Sequence, residues 1–277
     1  MDDRFTRFPA ALASHARTVR IDGVIPALLA HPDWKTPAPV VVWMHGRTAS
    51  KELDPGRYLR WLRAGLATCA IDLPGHGERF DASLQDNAGT MRVLARARGE
   101  IDRVVDHLRS LGFFDLSRMG LGGMSAGGMV TLRRLCDPHP FVCAAVEGTT
   151  GWLGGLYFPH ESGAAGGPRA AVIADRQSVR DQDPWEHLDT FAPVPLLVLN
   201  SEADQIVPYE GVRRFLYALR RHYQGRGADA ALIEAVTWKH TGAPQEHAGF
   251  GNASNEAKNI QTEFLTRWLR PTPLART

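Results

Sequence analysis

The feature that most constrains the fold is a series of short apolar runs separated by segments of helical periodicity. Each run has the length of a strand, is rich in Val, Ile and Leu, and is followed within two residues by Gly, Asp, Asn or Ser. The runs cover residues 39–44, 67–71, 119–124, 141–146 and 195–199. Strands that are apolar on both faces are typical of a parallel sheet with helices on both sides. We therefore expect a mainly parallel sheet.

Between the runs, apolar residues recur at spacings of three and four, which predicts helices with one buried face. The stripes are Ile101, Val104, Val105, Leu108 and Leu111; Val212, Phe215, Leu216 and Leu219; and Ile260, Phe264, Leu265 and Trp268. This alternation predicts one α/β domain over residues 1–277. Residues 17–30 are expected to add antiparallel strands at one edge, and residues 230–236 to form the last strand.

The charge balance and the hydropathy pattern exclude several classes of protein. Lys and Arg number 32 and Asp and Glu 30, which leaves a net charge of +2. Nucleic-acid-binding proteins usually carry a basic patch or stripe, so no nucleic-acid partner is expected. The chain has no run of about 18 apolar residues, and residues 1–14 lack the apolar stretch of a secretory signal. A cytoplasmic protein without a membrane span is expected.

One segment, residues 148–190, interrupts the alternation of strands and helices. It is rich in glycine and has no clear period. Long insertions of this kind are usually functional loops or lids, and the aromatic residues in it argue against disorder. We expect a lid over the strand ends. The expected pocket residues in it are Trp152, Leu156, Tyr157, Phe158 and Trp185.

The most informative motif is G-x-S-x-G at Gly123, Ser125 and Gly127, which follows an apolar run and precedes a helical pattern. On a sharp strand-to-helix turn the serine hydroxyl stands above the sheet, and the flanking glycines avoid collisions with neighbouring backbone. The following helix points its free N–H groups at the same place. Ser125 is therefore the predicted nucleophile. The G-x-G-x-x-G pattern of nucleotide-binding loops fails here because its third glycine is replaced by Ser125.

A serine nucleophile needs a base to take its proton and an acid to orient that base. In this strand–turn–helix setting the chain order is Ser, then Asp or Glu, then His. Asp204 follows the run at 195–199 and so lies at a strand's carboxyl end, where ligands gather in open α/β sheets. Glu202 is the alternative. Asp204 is favoured because the apolar residues directly after it would anchor its loop.

Two histidines follow the last expected strand, and either could be the base. His247 stands shortly before the final helix, and His240 lies closer to the strand end. His247 is favoured because it completes the ordered set with Ser125 and Asp204, while His240 remains open.

Acyl transfer also needs N–H donors that hold the oxyanion. Ala126 directly follows the nucleophile and supplies one such donor. The second is expected in the loop after the run at 39–44, where Gly46 lets the N–H of Arg47 point into the site. We interpret His45 as a residue that supports this loop by hydrogen bonding.

Taken together, these pieces resemble the α/β-hydrolase family. They are the His45-Gly46 loop, Asp72-Leu73-Pro74-Gly75-His76-Gly77, the Ser125 motif, the Asp204 loop ending at Val207-Pro208, and His247, in family order across about residues 38–270. The resemblance implies the α/β-hydrolase fold with an eight-stranded, mostly parallel sheet. It also implies the triad Ser125, His247 and Asp204 with oxyanion donors at Arg47 and Ala126. The subgroup resembled is the dienelactone-hydrolase and prolyl-oligopeptidase-like serine esterases, with His76 taken as structural.

Two features depart from the family pattern. Arg47 stands where an apolar residue or glycine is common. Its side chain is expected to pair with Glu52 or Asp54, and contact with an anionic part of the substrate is the alternative. Dienelactone hydrolases use a cysteine nucleophile, but none of the 3 cysteines of this chain occupies the nucleophile turn.

The sequence thus predicts a serine carboxylesterase that works through an acyl-enzyme intermediate. The alternatives are the same triad acting on an amide or peptide, a thioester, a lactone or a carbon–carbon bond, and a hydrolase-like sensor with little turnover. No metal and no cofactor are expected, because the histidines lack H-E-x-x-H or comparable spacing. The expected partner is a small-molecule ester, with a homodimer as an open option.

Overall fold

An eight-stranded sheet forms the centre of the protein in a computed structural model that describes residues 8–159 and 175–270. Its strands are β1 (Ala16–Ile21), β2 (Ile25–Ala30), β3 (Ala38–Met44), β4 (Ala67–Ile71), β5 (Phe114–Met124), β6 (Cys143–Glu147), β7 (Leu196–Ser201) and β8 (Ile233–Trp238). They lie in the order β1-β2-β4-β3-β5-β6-β7-β8. β2 is antiparallel to both of its neighbours, and all other pairs are parallel. The predicted α/β-hydrolase fold and mostly parallel sheet are confirmed.

Helices cover both faces of this sheet. They are α1 (Ala10–Ala13), α2 (Pro55–Arg63), α3 (Thr90–Leu111), α4 (Ala126–Arg134), α5 (Leu153–Tyr157), α6 (Arg176–Gln182), α7 (Tyr209–Gly225) and α8 (Ser254–Leu269), with short 3₁₀ turns between some of them. Asp54 begins α2 by accepting the Arg57 N–H, and Gly112 ends α3 in a left-handed conformation at φ 70°. Both signals follow the usual preferences at helix ends. Along the described residues, no helix combines the length and apolarity that a bilayer crossing requires.

The buried side chains of β3 show why the strand runs are apolar on both faces. Val40 and Val42 pack into one core with α3, α4 and α7, while Val41 and Trp43 pack into a second core with α2 and α8. Successive residues of a strand point to opposite faces, so a strand between two helix layers needs apolar residues at every position. This arrangement brings the carboxyl ends of the parallel strands to one edge, where the loops of the site begin.

The predicted lid, residues 148–190, falls partly outside the described residues, because 160–174 are not among them. Its described parts contain α5, α6 and a 3₁₀ stretch, Pro184–Thr190. The buried carboxylate of Asp183 joins them by accepting the N–H groups of Leu153 at 2.9 Å, Gly154 at 2.6 Å and Trp185 at 3.1 Å. Burial raises the pKa of Asp183 to about 7.

Candidate active site

Ser125 lies at a sharp turn between β5 and α4, with a left-handed backbone at φ 51°. Two glycines make that turn possible. A Cβ added at Gly127 would lie 2.3 Å from the Met44 carbonyl oxygen, and one added at Gly123 would lie 2.5 Å from the Gly127 backbone. Since backbone atoms cannot move aside as a flexible side chain can, both positions require glycine. The Ser125 N–H donates to the Glu147 carbonyl at 2.8 Å, which ties the turn to β6.

Three side chains that are distant in the sequence meet at this turn. Ser125 Oγ lies 2.9 Å from His247 Nε2, and His247 Nδ1 lies 2.7 Å from Asp204 Oδ2. Because a carboxylate only accepts, Nδ1 donates to Asp204 and leaves Nε2 to accept from the serine hydroxyl. The other carboxylate oxygen accepts the N–H groups of Ile206 and Val207, at 2.8 Å each. This arrangement can remove the proton from Ser125 while its oxygen attacks a carbonyl carbon.

The two alternative residues lie apart from this group. Glu202 accepts a hydrogen bond from the Thr237 hydroxyl on β8 at 2.8 Å. His240, in the loop after β8, is exposed to solvent. The structure therefore brings Asp204 and His247, and neither alternative, into hydrogen-bonding range of the Ser125 group.

The loop after β3 passes directly beside Ser125. A Cβ added at Gly46 would lie 3.3 Å from the Ser125 Cβ. The Leu73 N–H donates to His45 Nε2 at 3.0 Å, so Nδ1 donates to the Gly46 carbonyl at 2.6 Å. Burial lowers the pKa of His45 to about 4, so the ring is neutral at pH 7 and supports the loop. Arg47 lines the cavity beside Ser125, and Ala126 is the first residue of α4.

The Arg47 side chain connects this loop to the segment before α3. Its guanidinium donates to the Thr90 hydroxyl at 3.0 Å and to the carbonyls of Leu84 and Asp86 at 2.7 and 2.8 Å. Two carboxylates were expected to pair with Arg47, and each of them contacts a lysine. Glu52 Oε1 lies 2.7 Å from Lys51 Nζ, and Asp54 Oδ1 lies 3.0 Å from Lys258 Nζ. The loop after β3 is thus fastened through Arg47 to oxygens about forty residues further along the chain, and no local sequence pattern indicates these contacts.

A cavity of about 630 Å³ opens beside Ser125 and His247. Its apolar walls consist of Trp43, Leu53, Tyr58, Met124, Ile206 and Phe250. Its charged lining residues are Arg47, Asp54, Arg57 and Lys258. Apolar walls with a few polar groups are typical of a small-molecule site.

The five side chains predicted to line the pocket from the lid lie elsewhere. Leu156 and Tyr157 are buried in the core, while Trp152, Phe158 and Trp185 pack against it. The rings of Trp152 and Trp185 are 5.2 Å apart, and none of the five is among the described residues that line the cavity. Apolar surface is stabilised wherever the chain can bury it, and here the nearby core provides that surface. The pocket walls come instead from β3, α2 and the loops that carry Ser125, Asp204 and His247.

A buried ion pair beneath the turn is a second feature that the sequence did not indicate. Arg57 Nη2 lies 2.8 Å from Glu147 Oε2, and Gln261 Nε2 donates to the other oxygen of Glu147 at 2.8 Å. The Arg57 guanidinium also lies 4.4 Å from the centre of the Trp43 ring. The pair joins α2 to the strand whose carbonyl holds Ser125. Its members are 90 residues apart, so no local pattern connects them.

A reactive cysteine needs an accessible thiolate, and a metal site needs several ligating side chains grouped together. Throughout residues 8–159 and 175–270, no three His, Cys, Asp or Glu side chains are grouped so that they could hold a metal ion. Cys69, Cys136 and Cys143 are free and buried. Burial raises the pKa of Cys69 and of Cys136 to about 12, so both thiols stay protonated at neutral pH. These thiols act as packing residues.

Comparison with known proteins identifies a family and a fold for this chain. A sequence model of the prolyl oligopeptidase family matches residues 57–272. Esterase YjfP of Escherichia coli (strain K12) is 28% identical over 207 residues, which span 70% of this chain and 81% of that protein. The structure of TT1662 from Thermus thermophilus matches with a TM-score of 0.70 at 21% identity. The match covers 93% of this chain and 99% of the TT1662 chain. Thermogutta terrifontis esterase 2, phosphoramylated by tabun, has a TM-score of 0.66 at 19% identity over 93% of this chain and 97% of its own.

Proposed function

Because the chain belongs to the prolyl oligopeptidase family of serine hydrolases, we propose that it is a carboxylesterase with Ser125 as its nucleophile. The observation that carries the proposal is the continuous pair of contacts from Ser125 Oγ to His247 Nε2, at 2.9 Å, and from His247 Nδ1 to Asp204, at 2.7 Å. A hydroxyl in hydrogen-bonding range of an oriented imidazole is the arrangement that nucleophilic catalysis requires.

In the proposed reaction, the Ser125 oxygen bonds to the ester carbonyl carbon while its proton passes to His247 Nε2. The oxyanion that forms is held by the backbone N–H groups of Ala126 and Arg47. When the carbon–oxygen bond to the alcohol breaks, the alcohol leaves with the proton from His247. Water then attacks the acyl-enzyme through the same base, and the acid is released with Ser125 restored.

The cavity supports a substrate with an apolar group. Trp43, Tyr58 and Phe250 give the space beside Ser125 an aromatic wall, and a volume of about 630 Å³ holds a small-molecule ester. We propose that the acyl or alcohol part of the ester packs against this wall. The preferred chain length and shape are then set by the cavity, and the chemistry by the loops at the strand ends.

The decisive test replaces Ser125 with Ala and measures hydrolysis of p-nitrophenyl esters. The expected loss of kcat is on the order of 10⁴–10⁶-fold, with the thermal unfolding midpoint close to that of the wild type. His247→Ala should lose nearly all turnover too, and the matched control His240→Ala should keep it. A Ser125→Ala protein that retains most of its activity would refute the assignment.

A panel of matched ester, amide, thioester and lactone substrates separates the proposed carboxylesterase from enzymes that use the same triad on another bond. The ester should be turned over fastest, and a faster amide would make the protein a peptidase or amidase. Labelling with a fluorophosphonate tests the sensor alternative. Stoichiometric labelling of Ser125 without steady ester turnover would favour a sensor over an enzyme.

A further inference from the structure

The backbone directly before His247 adopts an unusual conformation. Gln245 and Glu246 both have φ 53°, in the left-handed region that residues with a Cβ rarely occupy. Two consecutive residues of this kind persist only where the surrounding structure holds them, and such positions cluster at functional sites. Contacts from neighbouring residues must therefore hold this loop.

The Glu246 carboxylate holds the loop, because four hydrogen-bond donors converge on it. Oε2 accepts the Thr241 N–H at 2.7 Å, the Thr241 hydroxyl at 2.8 Å and the Ser201 hydroxyl at 2.7 Å. Oε1 accepts the Gly242 N–H at 2.8 Å. Led by the Thr241 N–H, these bonds lower the pKa of Glu246 to about 2. At neutral pH the side chain is a carboxylate, with every contacting group a donor.

These contacts join the two loops that carry the acid and the base. Ser201 ends β7, three residues before Asp204, and Glu246 directly precedes His247. A second link runs in parallel, since the Gln205 N–H donates to the Gln245 carbonyl at 3.1 Å. Glu246 thus fixes the distance between the two loops, and the Asp204–His247 hydrogen bond spans that distance.

We propose that Glu246 is a positioning residue of the triad, which sets the His247 ring against Asp204 and Ser125 by fastening the base loop to the end of β7. This inference rests on the proposed function. Glu246 is not among the described residues that line the cavity, whereas its neighbours Gln245 and His247 are. Its effect should therefore fall on the chemical step and leave substrate binding unchanged.

The test replaces Glu246 with Gln, which keeps the size of the side chain but turns one acceptor into a donor. The amide nitrogen must then face N–H or O–H groups on at least one side, so the loop shifts. Displacements of about 1 Å at a catalytic group cost on the order of 10²-fold. We expect kcat for a p-nitrophenyl ester to fall about 10–100-fold with KM within about twofold of the wild type.

Ser201→Ala is the second variant, because it removes one donor from Glu246 and keeps the other three. It should fold even if Glu246→Gln does not, and its kcat should fall by a smaller factor of about 3–10, again with little change in KM. Glu202→Gln is the matched control on the same loop, since its carboxylate accepts from Thr237 on β8. Its kcat should equal that of the wild type.

Wild-type kcat in both Glu246→Gln and Ser201→Ala, or a rise in KM alone, would overturn the positioning role. The rate of Ser125 labelling by a fluorophosphonate gives an independent readout, because it needs the serine–histidine contact but not the ester pocket. That rate should fall in parallel with kcat. If Ser125→Ala stays active, the proposed function itself fails. If Ser125→Ala is inactive while both Glu246→Gln and Ser201→Ala match the wild type, only the positioning role of Glu246 fails.

Discussion

Ser125 and His247 face each other across 2.9 Å, but the backbones that carry them are held by different interactions. The Ser125 turn lies in the interior, where Gly123 and Gly127 pass within van der Waals contact of other backbone and leave no room for a side chain. The His247 loop lies nearer to solvent and is held by side-chain hydrogen bonds, four of which end on Glu246. The Ser125 turn is fixed by packing, and the His247 loop is fixed by polar contacts.

This difference predicts how the two regions respond to mutation. A change at the glycines of the turn, or at the Arg57–Glu147 pair beneath it, must displace backbone or leave a buried charge unpaired, so its cost falls on folding as a whole. A change in the His247 loop removes contacts that water can partly replace, so its cost falls on geometry and rate. Changes at those glycines and at the ion pair should therefore lower the free energy of unfolding by a large amount. Changes in the His247 loop should lower kcat by a large amount and the free energy of unfolding only slightly.

The largest expected effect is that of Gly127→Ala. The added Cβ would lie 2.3 Å from the Met44 carbonyl oxygen and 2.7 Å from that of His45, and neither backbone atom can move freely. We expect the free energy of unfolding to fall by about 3 kcal/mol or more, with loss of ester hydrolysis. Urea denaturation and kcat together measure both consequences.

Gly99→Ala is the matched control for that variant. Gly99 is an exposed residue inside α3, and a Cβ added there meets no atom within 4 Å. Alanine in a helix interior should raise the free energy of unfolding by roughly 0.5–1 kcal/mol and leave kcat unchanged. If Gly127→Ala proved as stable as Gly99→Ala, the turn would not be held by packing.

The second prediction concerns the buried ion pair beneath the turn. Arg57→Met leaves the Glu147 carboxylate buried with Gln261 as its remaining side-chain partner, and breaking such a pair typically costs about 3–5 kcal/mol. Replacing both charges, as in Arg57→Met with Glu147→Met, should recover part of that loss, because no buried charge is left uncompensated. Urea denaturation of the two variants gives both values.

An exposed ion pair provides the contrast for this second prediction. The side chains of Arg109 and Asp106 on α3 are 61% and 70% exposed, and Arg109→Ala should change the free energy of unfolding by less than about 0.5 kcal/mol. A loss for Arg57→Met no larger than that for Arg109→Ala would contradict the view that the turn depends on a buried charge network.

The same division explains what could be predicted from the sequence. The strand runs, the helical stripes and the glycines around Ser125 are local patterns, because they follow from the period of an element or from one crowded turn. They predicted the sheet, the helices on both faces and the nucleophile turn. The candidates Asp204 and His247 came from chain order together with the loops that follow the strands.

The remaining features depend on pairs of residues that are distant in the sequence. Glu246 and Ser201 are separated by 45 positions, and Arg57 and Glu147 by 90, so no spacing signals either contact. The aromatic residues of the lid segment were predicted to line the pocket, but they pack in or against the core. Aromatic composition alone does not distinguish a pocket wall from a core contact. Trp43 lies in one of the apolar runs, and no local pattern singles out Tyr58; both are buried and also form part of the cavity wall.

The smallest expected effect is the change with pH in the stability that Glu246 contributes to the His247 loop. Hydrogen bonds lower the pKa of Glu246 from about 4.5 to about 2, so the folded state binds the proton less readily than the unfolded chain. The stabilisation from Glu246 is therefore fully present above about pH 4.5 and is lost as the pH falls toward 2. Glutamine does not titrate, so the difference in melting temperature between the wild type and Glu246→Gln should narrow over that range.

Differential scanning calorimetry between pH 2.5 and 6 measures that difference directly, with Glu202→Gln scanned beside it as the control. Glu202 accepts one hydrogen bond, from the Thr237 hydroxyl. The melting temperature of Glu202→Gln should therefore follow that of the wild type much more closely across the pH range. A gap between the wild type and Glu246→Gln that stays constant down to pH 2.5 would mean that the ionised carboxylate does not hold the loop. The His247 loop would then be fixed by packing as the Ser125 turn is, and the contrast between the two regions would be lost.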